Sequence, residues 1–336
     1  MTDATSDGPV SLRLSVTDRC QLRCLYCMPP EGVQRSPRDK ILRFEEIVRF
    51  VAALQQRVGL TKVRITGGEP LARRGIVRLV EMLAAMGIAD LAMTTNGQSL
   101  AESARDLKRA GLNRVNVSLD SLRAEVFRTI TRCGELSRTL AGIDAALSAG
   151  LRPVKINVTV LRNVNTDELG QLVRFGLESG CEVRFIELMP IGPVAEGSSP
   201  QAPGGNFAKW FVSATEVLVH LAESFELRPL PRKEGSSSRP YAARAHGGVG
   251  GSGREGLISV IPSLTEPFCA DCRRLRLTAS GKLLGCLARE EGLDIRSLLR
   301  EGGDERVLVR AATVAMSLKN AERDFLRQTA MFKIGG

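Results

Sequence analysis

The chain has 336 residues, 43% of them hydrophobic and 25% charged, a composition that excludes a disordered or fibrous protein. No apolar run approaches the roughly 20 residues that span a bilayer. The N-terminal Met-Thr-Asp-Ala-Thr-Ser-Asp-Gly lacks the basic start and apolar stretch of a signal peptide, so a cytoplasmic protein with no membrane partner is expected. A net charge of +10 admits nucleic acid or a small polyanion as partner. With aromatics at only 4% and no long basic run, the base-stacking platforms of single-strand binders are lacking, and a small polyanion is preferred.

Residues 12–188 repeat one unit: a short run alternating apolar and polar, a loop, then a stretch with helical spacing. Strands are expected at 12–18, 62–66, 91–95, 114–120, 153–160 and 181–188. Helices are expected near 44–58, 76–86, 100–110, 137–149 and 167–179, several closed by a glycine such as Gly59, Gly87 or Gly180. Strands alternating with helices imply parallel βαβ units. Six units rather than eight predict an α/β fold, an incomplete (β/α)6 triosephosphate-isomerase-like barrel.

One face of these strands is apolar, with Leu12, Leu14, Val63, Ile65, Val115, Val117, Ile156 and Val158. The other carries Arg13, Lys62, Arg64, Asn116, Ser118, Lys155 and Asn157. Helices covering the apolar face turn the polar set inward. Closed barrels fill their interiors with branched aliphatics, so this interior is wet or holds a polar ligand. The plainer alternative, a polar face open to solvent, fits poorly with helices between every pair of strands.

Glycine, proline and serine are dense in 192–205 and 235–256, which reads as loops around a helix near 213–224. Pattern returns at 256–261 and in a hairpin of 274–278 with 282–287, then as helical spacing near 293–300 and within 304–330. The expected domains are a barrel at 1–190, a variable linker at 191–256 and a C-terminal region at 257–336.

Six of the eight cysteines fall in two tight sets, which argues for metal or redox work rather than a disulfide scaffold. Cys133 and Cys181 stand apart and are expected to be small core residues. The first set, Cys20, Cys24 and Cys27, follows the first strand as C-x3-C-x2-C. Three thiolates are one short of the four that usually close an iron–sulfur cluster, which suggests an iron open to a non-protein ligand. Zinc is the alternative, but it also wants four ligands, and neither histidine, His220 or His246, lies near Cys20 in sequence. The second set, Cys269, Cys272 and Cys286, again offers three thiolates.

C-x3-C-x2-C with Tyr26 before its last cysteine, followed by Gly67-Gly68-Glu69-Pro70 after the second strand, resembles the radical S-adenosylmethionine (SAM) superfamily. With the second cysteine set, Val115-Asn-Val-Ser-Leu-Asp120, Arg184-Phe-Ile-Glu-Leu-Met-Pro190, Arg274-Leu-Arg-Leu-Thr278 and a terminal Gly335-Gly336, it resembles the GTP 3′,8-cyclase family within it. The resemblance runs from residue 12 to the end and is weakest over 190–256.

It implies two [4Fe–4S] clusters, one on Cys20, Cys24 and Cys27 that chelates SAM, the other on Cys269, Cys272 and Cys286 that holds guanine. Tyr26, Gly68, Glu69, Ser118, Asn157 and Met189 would bind SAM. Arg13, Lys62, Arg64, Thr95, Lys155, Arg184, Arg274 and Arg276 would bind GTP, with Arg13, Gly335 and Gly336 supporting catalysis. The implied reaction is hydrogen abstraction from ribose C3′ by a 5′-deoxyadenosyl radical, then attack of C3′ on guanine C8. It makes 3′,8-cyclo-7,8-dihydro-GTP, the first step of molybdenum cofactor biosynthesis.

Implied partners are a flavodoxin- or ferredoxin-type one-electron reductant and, downstream, a cyclic pyranopterin monophosphate synthase; a homodimer is compatible, and nucleic acid is not expected. Arg273, Cys133, Lys319-Asn320 and the loose 235–256 stretch depart from the family pattern and leave room for an altered substrate. The competing readings are a peptide-modifying maturase with an auxiliary cluster and a non-enzymatic electron carrier or nucleic-acid binder. A peptide needs no triphosphate cradle, and an electron carrier needs no Gly-Gly-Glu.

Overall fold

The computed structural model describes residues 10–195, 205–246 and 254–319. Its first half runs β1 (Val10–Ser15), α1 (Phe44–Val58), β2 (Leu60–Thr66), α2 (Ile76–Ala84), β3 (Asp90–Thr95), α3 (Leu100–Arg109), β4 (Arg114–Ser118), α4 (Ala124–Thr131), α5 (Leu136–Ser148), β5 (Lys155–Thr159), α6 (Leu169–Ser179) and β6 (Glu182–Ile186). The second half adds α7 (Gly205–Trp210), α8 (Ala214–Ala222), β7 (Phe225–Pro229), β8 (Arg239–Ala245), β9 (Glu255–Ile261), β10 (Arg274–Leu277), β11 (Lys282–Leu284), β12 (Leu293–Asp294), α9 (Ile295–Arg300) and α10 (Glu305–Ser317).

The twelve strands of the described residues form one sheet, ordered β12-β11-β10-β1-β2-β3-β4-β5-β6-β9-β8-β7, an open arc among those residues. Strands β1 to β6 pair in parallel, in sequence order. The second half adds one parallel strand to each side, β10 on β1 and β9 on β6. The incomplete barrel expected from six units is therefore present.

The period-two pattern sets which face is dry. Leu12, Leu14, Val63, Ile65, Val115, Val117, Ile156 and Val158 are all fully buried under the helices, beside Ile47, Phe50 and Leu54 of α1. The intervening residues are left to face the barrel interior.

Two expectations are corrected, and one helix is added. The 190–256 stretch is more than loops around a helix, because β7 and β8 form an antiparallel hairpin that joins the sheet through β9. Its Gly-Ser run marks the hairpin turn, and three alanines in β8 hide the strand from a propensity reading. Helix α4 also went unanticipated. Cys181 is buried as expected, but Cys133 is exposed. It follows Arg132, which has a left-handed φ of 64°, and the turn directs its Sγ to the Gln21 carbonyl, 3.0 Å away.

Phe50 has no exposed surface between α1 and the sheet. Phe50→Ala is expected to cost about 3–5 kcal/mol, read as a lower urea midpoint with an unchanged m-value.

Candidate active site

At the C-terminal ends of β1 and β2, two backbones meet with almost no space between them. The Gly68 amide donates to the Thr17 carbonyl and the Glu69 amide to the Arg19 carbonyl, both at 2.7 Å. A Cβ on Gly68 would lie 2.3 Å from the Arg19 carbonyl oxygen, so only glycine fits. This contact fixes the cysteine loop relative to strand β2.

Glu69 ties the next strand end. Its carboxylate accepts from the Leu71 amide at 3.0 Å, the Thr95 hydroxyl at 2.8 Å and the Asn96 amide at 2.7 Å. Three of roughly four lone-pair positions are thus used, leaving one for an incoming ammonium. Burial pushes this carboxyl up to about 7 despite the bonds.

Asn96 also points its amide nitrogen at Cys20 Sγ, at 3.7 Å, and the Leu22 amide lies 3.4 Å from the same sulfur. Burial, then the Glu69 carboxylate, pushes the Cys20 thiol up to about 11. Burial, then Cys27 and Asp120, raises Cys24 as well. Such thiols ionise when a metal cation arrives. Asp120 accepts from the Tyr26 hydroxyl and the Thr159 amide, both at 2.7 Å, and burial raises its carboxyl to about 6. Asn96 and Asp120 had no role assigned from sequence, although Asp120 continues the inward period of Asn116 and Ser118.

One chamber collects most of the expected site. All six paired-set cysteines line it. So do Tyr26, Gly68, Glu69, Ser118, Asn157 and Met189. Of the expected cations, Arg13, Arg64, Arg184, Arg274 and Arg276 line it, together with Thr95. Lys62 and Lys155 do not reach its wall. They pair instead with Asp90 at 2.8 Å and Glu182 at 2.5 Å. Gly335 and Gly336 lie outside the described residues.

The chamber is strongly cationic. Burial, then the neighbouring Arg276, Arg274 and Arg64 charges, drives Arg13 well below the usual arginine range. Burial, then Arg114, Arg184 and Arg274, does the same to Arg64. Among the described residues no carboxylate pairs with either. Arg184 is held by Glu182 at 2.6 Å, and Arg274 lies over the Phe268 ring, 4.5 Å from its centre. Burial and then the Arg184 charge bring Lys155 down to about 8, although Glu182 opposes them. Burial would raise Asp90, but hydrogen bonds from Arg114 and Lys62 outweigh it and hold the carboxyl at about 2.

The second cysteine set lines the same chamber. The Ala288 amide lies 3.4 Å from Cys286 Sγ, and the Lys319 ammonium 3.5 Å from Cys272 Sγ. Burial raises the Cys272 thiol, but Lys319 and Arg274 outweigh it and the net shift is downward. Asp271 bonds Arg232 at 2.7 Å and the Gly235 amide at 2.9 Å, which ties the β7–β8 turn to this set. Among the described residues no group of three such side chains stands close enough to hold a single metal ion.

Two family models cover the chain, "Radical SAM superfamily" over residues 14–176 and "Molybdenum Cofactor Synthesis C" over 181–325. Similar proteins include the GTP 3′,8-cyclases of Desulforamulus reducens, 43% identical over 97% of each chain, and Heliobacterium modesticaldum, 43% identical over the whole of both. That of Geobacter sulfurreducens is 41% identical over 97% of this chain and 96% of its own. The chain belongs to the GTP 3′,8-cyclase family of radical SAM enzymes. In fold it is similar to Streptococcus suis SuiB bound to S-adenosylmethionine, with TM-score 0.56 and 15% identity over 91% of this chain and 68% of that one.

Membership in this GTP 3′,8-cyclase family carries a [4Fe–4S] cluster and SAM, and the chamber fits both. Three thiols line it beside the glycine cradle, and the buried Asn157 Oδ1 on its wall has no hydrogen-bond partner among the described residues. The described residues contain no helix long and apolar enough to cross a membrane.

Gly68→Ala is expected to separate the cysteine loop from β2, so that reconstituted protein binds substoichiometric iron at the first set. Asp90→Asn should cost about 1.5–3 kcal/mol at pH 7, the scale for charge-assisted hydrogen bonds. Because the folded carboxyl is depressed to about 2, the wild-type advantage holds above about pH 4 and fades as pH falls toward 2. Urea midpoints of both proteins at pH 7 and pH 3 check the sign.

Proposed function

We propose that the protein cyclises GTP to 3′,8-cyclo-7,8-dihydro-GTP, the first step of molybdenum cofactor biosynthesis. The observation that carries the reading is that two three-thiol sets and a group of buried guanidiniums open on one chamber. When bound, the first cluster and SAM would supply the radical chemistry that removes hydrogen from ribose C3′; C3′ then bonds guanine C8 as the C8–N7 double bond opens, and the nitrogen radical left behind takes up one electron and one proton.

The chain's own residues do the positioning, which governs such intramolecular bond formation. Cys20, Cys24 and Cys27 hold the first cluster, with Asn96 and the Leu22 amide toward one sulfur. Glu69 offers its remaining lone pair to the SAM ammonium. Asn157 offers its unpartnered Oδ1, and Gly68, Ser118, Tyr26 and Met189 shape the rest of that subsite. Opposite, Cys269, Cys272 and Cys286 hold a second cluster that receives guanine.

Arg13, Arg64, Arg184, Arg274 and Arg276 meet the triphosphate, whose roughly four negative charges offset a cost that unpaired buried cations otherwise impose. Lys62 and Lys155 join them by exchanging carboxylate for phosphate, and Thr95 lies beside. Gly335 and Gly336 support SAM cleavage. A flavodoxin- or ferredoxin-type protein provides the electron, and a cyclic pyranopterin monophosphate synthase consumes the product. A homodimer and a cytoplasmic location complete the reading.

Anaerobic incubation of reconstituted protein with SAM, dithionite and GTP should yield 5′-deoxyadenosine and the cyclised nucleotide. Deoxyadenosine with unchanged GTP would overturn the substrate assignment. The Cys269→Ala/Cys272→Ala/Cys286→Ala protein should keep the iron of the first set but lose cyclised product, by liquid chromatography. Deleting Gly335 and Gly336 should spare the iron content and GTP binding while abolishing deoxyadenosine release.

A further inference from the structure

Below the chamber wall, toward the N-terminal ends of the strands, lies a layer of interior charge. Lys62 and Arg114 share Asp90, while Lys155 and Arg184 share Glu182. Arg114 is the member that no motif indicated. It faces inward by the same period that places Ser118 on the chamber wall. Its Nε and Nη2 donate to the two Asp90 oxygens at 2.9 and 2.7 Å, whereas its buried Nη1 has no hydrogen-bond partner among the described residues.

Strand register places Arg114 opposite Ala92, and Ala92 opposite Arg64. Two guanidiniums therefore flank one methyl group on the interior face, with one carboxylate, Asp90, serving both Arg114 and Lys62. The charge of Arg114 is the largest charge effect on Arg64, after burial itself, in lowering it below the usual range. Like charges held this close in a buried layer are costly, and the fully buried Ala92 between them carries no group that would relieve them.

We infer that Arg114 is a phosphate-binding residue that forms, with Arg64, a two-guanidinium clamp over Ala92 for the terminal phosphate of a nucleoside triphosphate, Asp90 being the counterion that Arg114 shares with Lys62 while no phosphate is bound. The assignment rests on the GTP reading above and adds how the site counts phosphates. A triphosphate held by the guanidiniums on the chamber wall meets Arg64 there, and Arg114 is the next guanidinium beyond Arg64 in the strand register. Arginine's planar fork can keep Asp90 on one edge and present Nη1 on another. GDP falls short of the clamp.

The test is equilibrium binding of GTP and GDP to anaerobically reconstituted protein without reductant. In Arg114→Met, GTP affinity is expected to fall about tenfold or more, the worth of a charge-assisted bond. GDP affinity should change by less than about threefold on the same scale, and Arg114→Lys should restore much of the loss. Equal weakening of both nucleotides, or none, overturns the clamp. In Asp90→Asn, which frees both cations, GTP should raise the thermal midpoint more than in wild type, because phosphate replaces the missing counterion. An equal or smaller rise counts against it. A wild-type protein that binds no GTP overturns both the clamp and the GTP reading. Normal wild-type binding with unchanged discrimination in Arg114→Met overturns the clamp alone.

Discussion

Arg13 and Arg64 stand side by side in the register of β1 and β2, buried inside the barrel and without a carboxylate partner among the described residues. Most barrels of this kind close over branched aliphatic side chains. Here the interior is a pool of positive charge that folding tolerates only because neighbouring groups share it out. Asp90 and Glu182 neutralise part of the layer, and the Phe268 ring lies under Arg274. What remains uncompensated is a standing demand for an anion, and the chamber's selectivity follows from it.

A second constraint is the backbone contact between residues 17–19 and 67–69. It leaves no volume for a side chain at Gly68 and fixes the cysteine loop against β2. Glu69 then carries the order onward, through Thr95 and Asn96, to the end of β3 and back to Cys20. Three strand ends are locked together by peptide groups and one buried carboxylate. A site for a reactive radical needs such preorganisation, because positional freedom would let the radical meet the wrong bond.

The second half of the chain completes the chamber from both sides of the arc. β10 brings Arg274 and Arg276 alongside Arg13, and β9 supports Arg184 through Ser259, which donates to Glu182 at 3.0 Å. The Asp271 contact to the β7–β8 turn ties the variable stretch to the second cysteine set. The two halves are thus one sheet, and both cysteine sets line one chamber.

The cysteine spacings, the Gly-Gly-Glu turn, the six βαβ units and the inward polar period were all legible in the amino-acid order. Each is local, recorded within a few residues by side-chain type and periodicity. The hairpin of β7 and β8 was not legible, since alanines and an arginine make a strand only when β9 supplies the hydrogen bonds. Cys133 looked like core material, and only the left-handed turn at Arg132 shows that it points outward. Sequence alone marked Lys62, Lys155 and Arg64 as equivalent cations. Tertiary structure divided them, giving the two lysines carboxylates and leaving Arg64 to face Arg114 across Ala92. Ion pairing depends on which strands are neighbours and in what register, and no stretch of sequence read by itself contains that information.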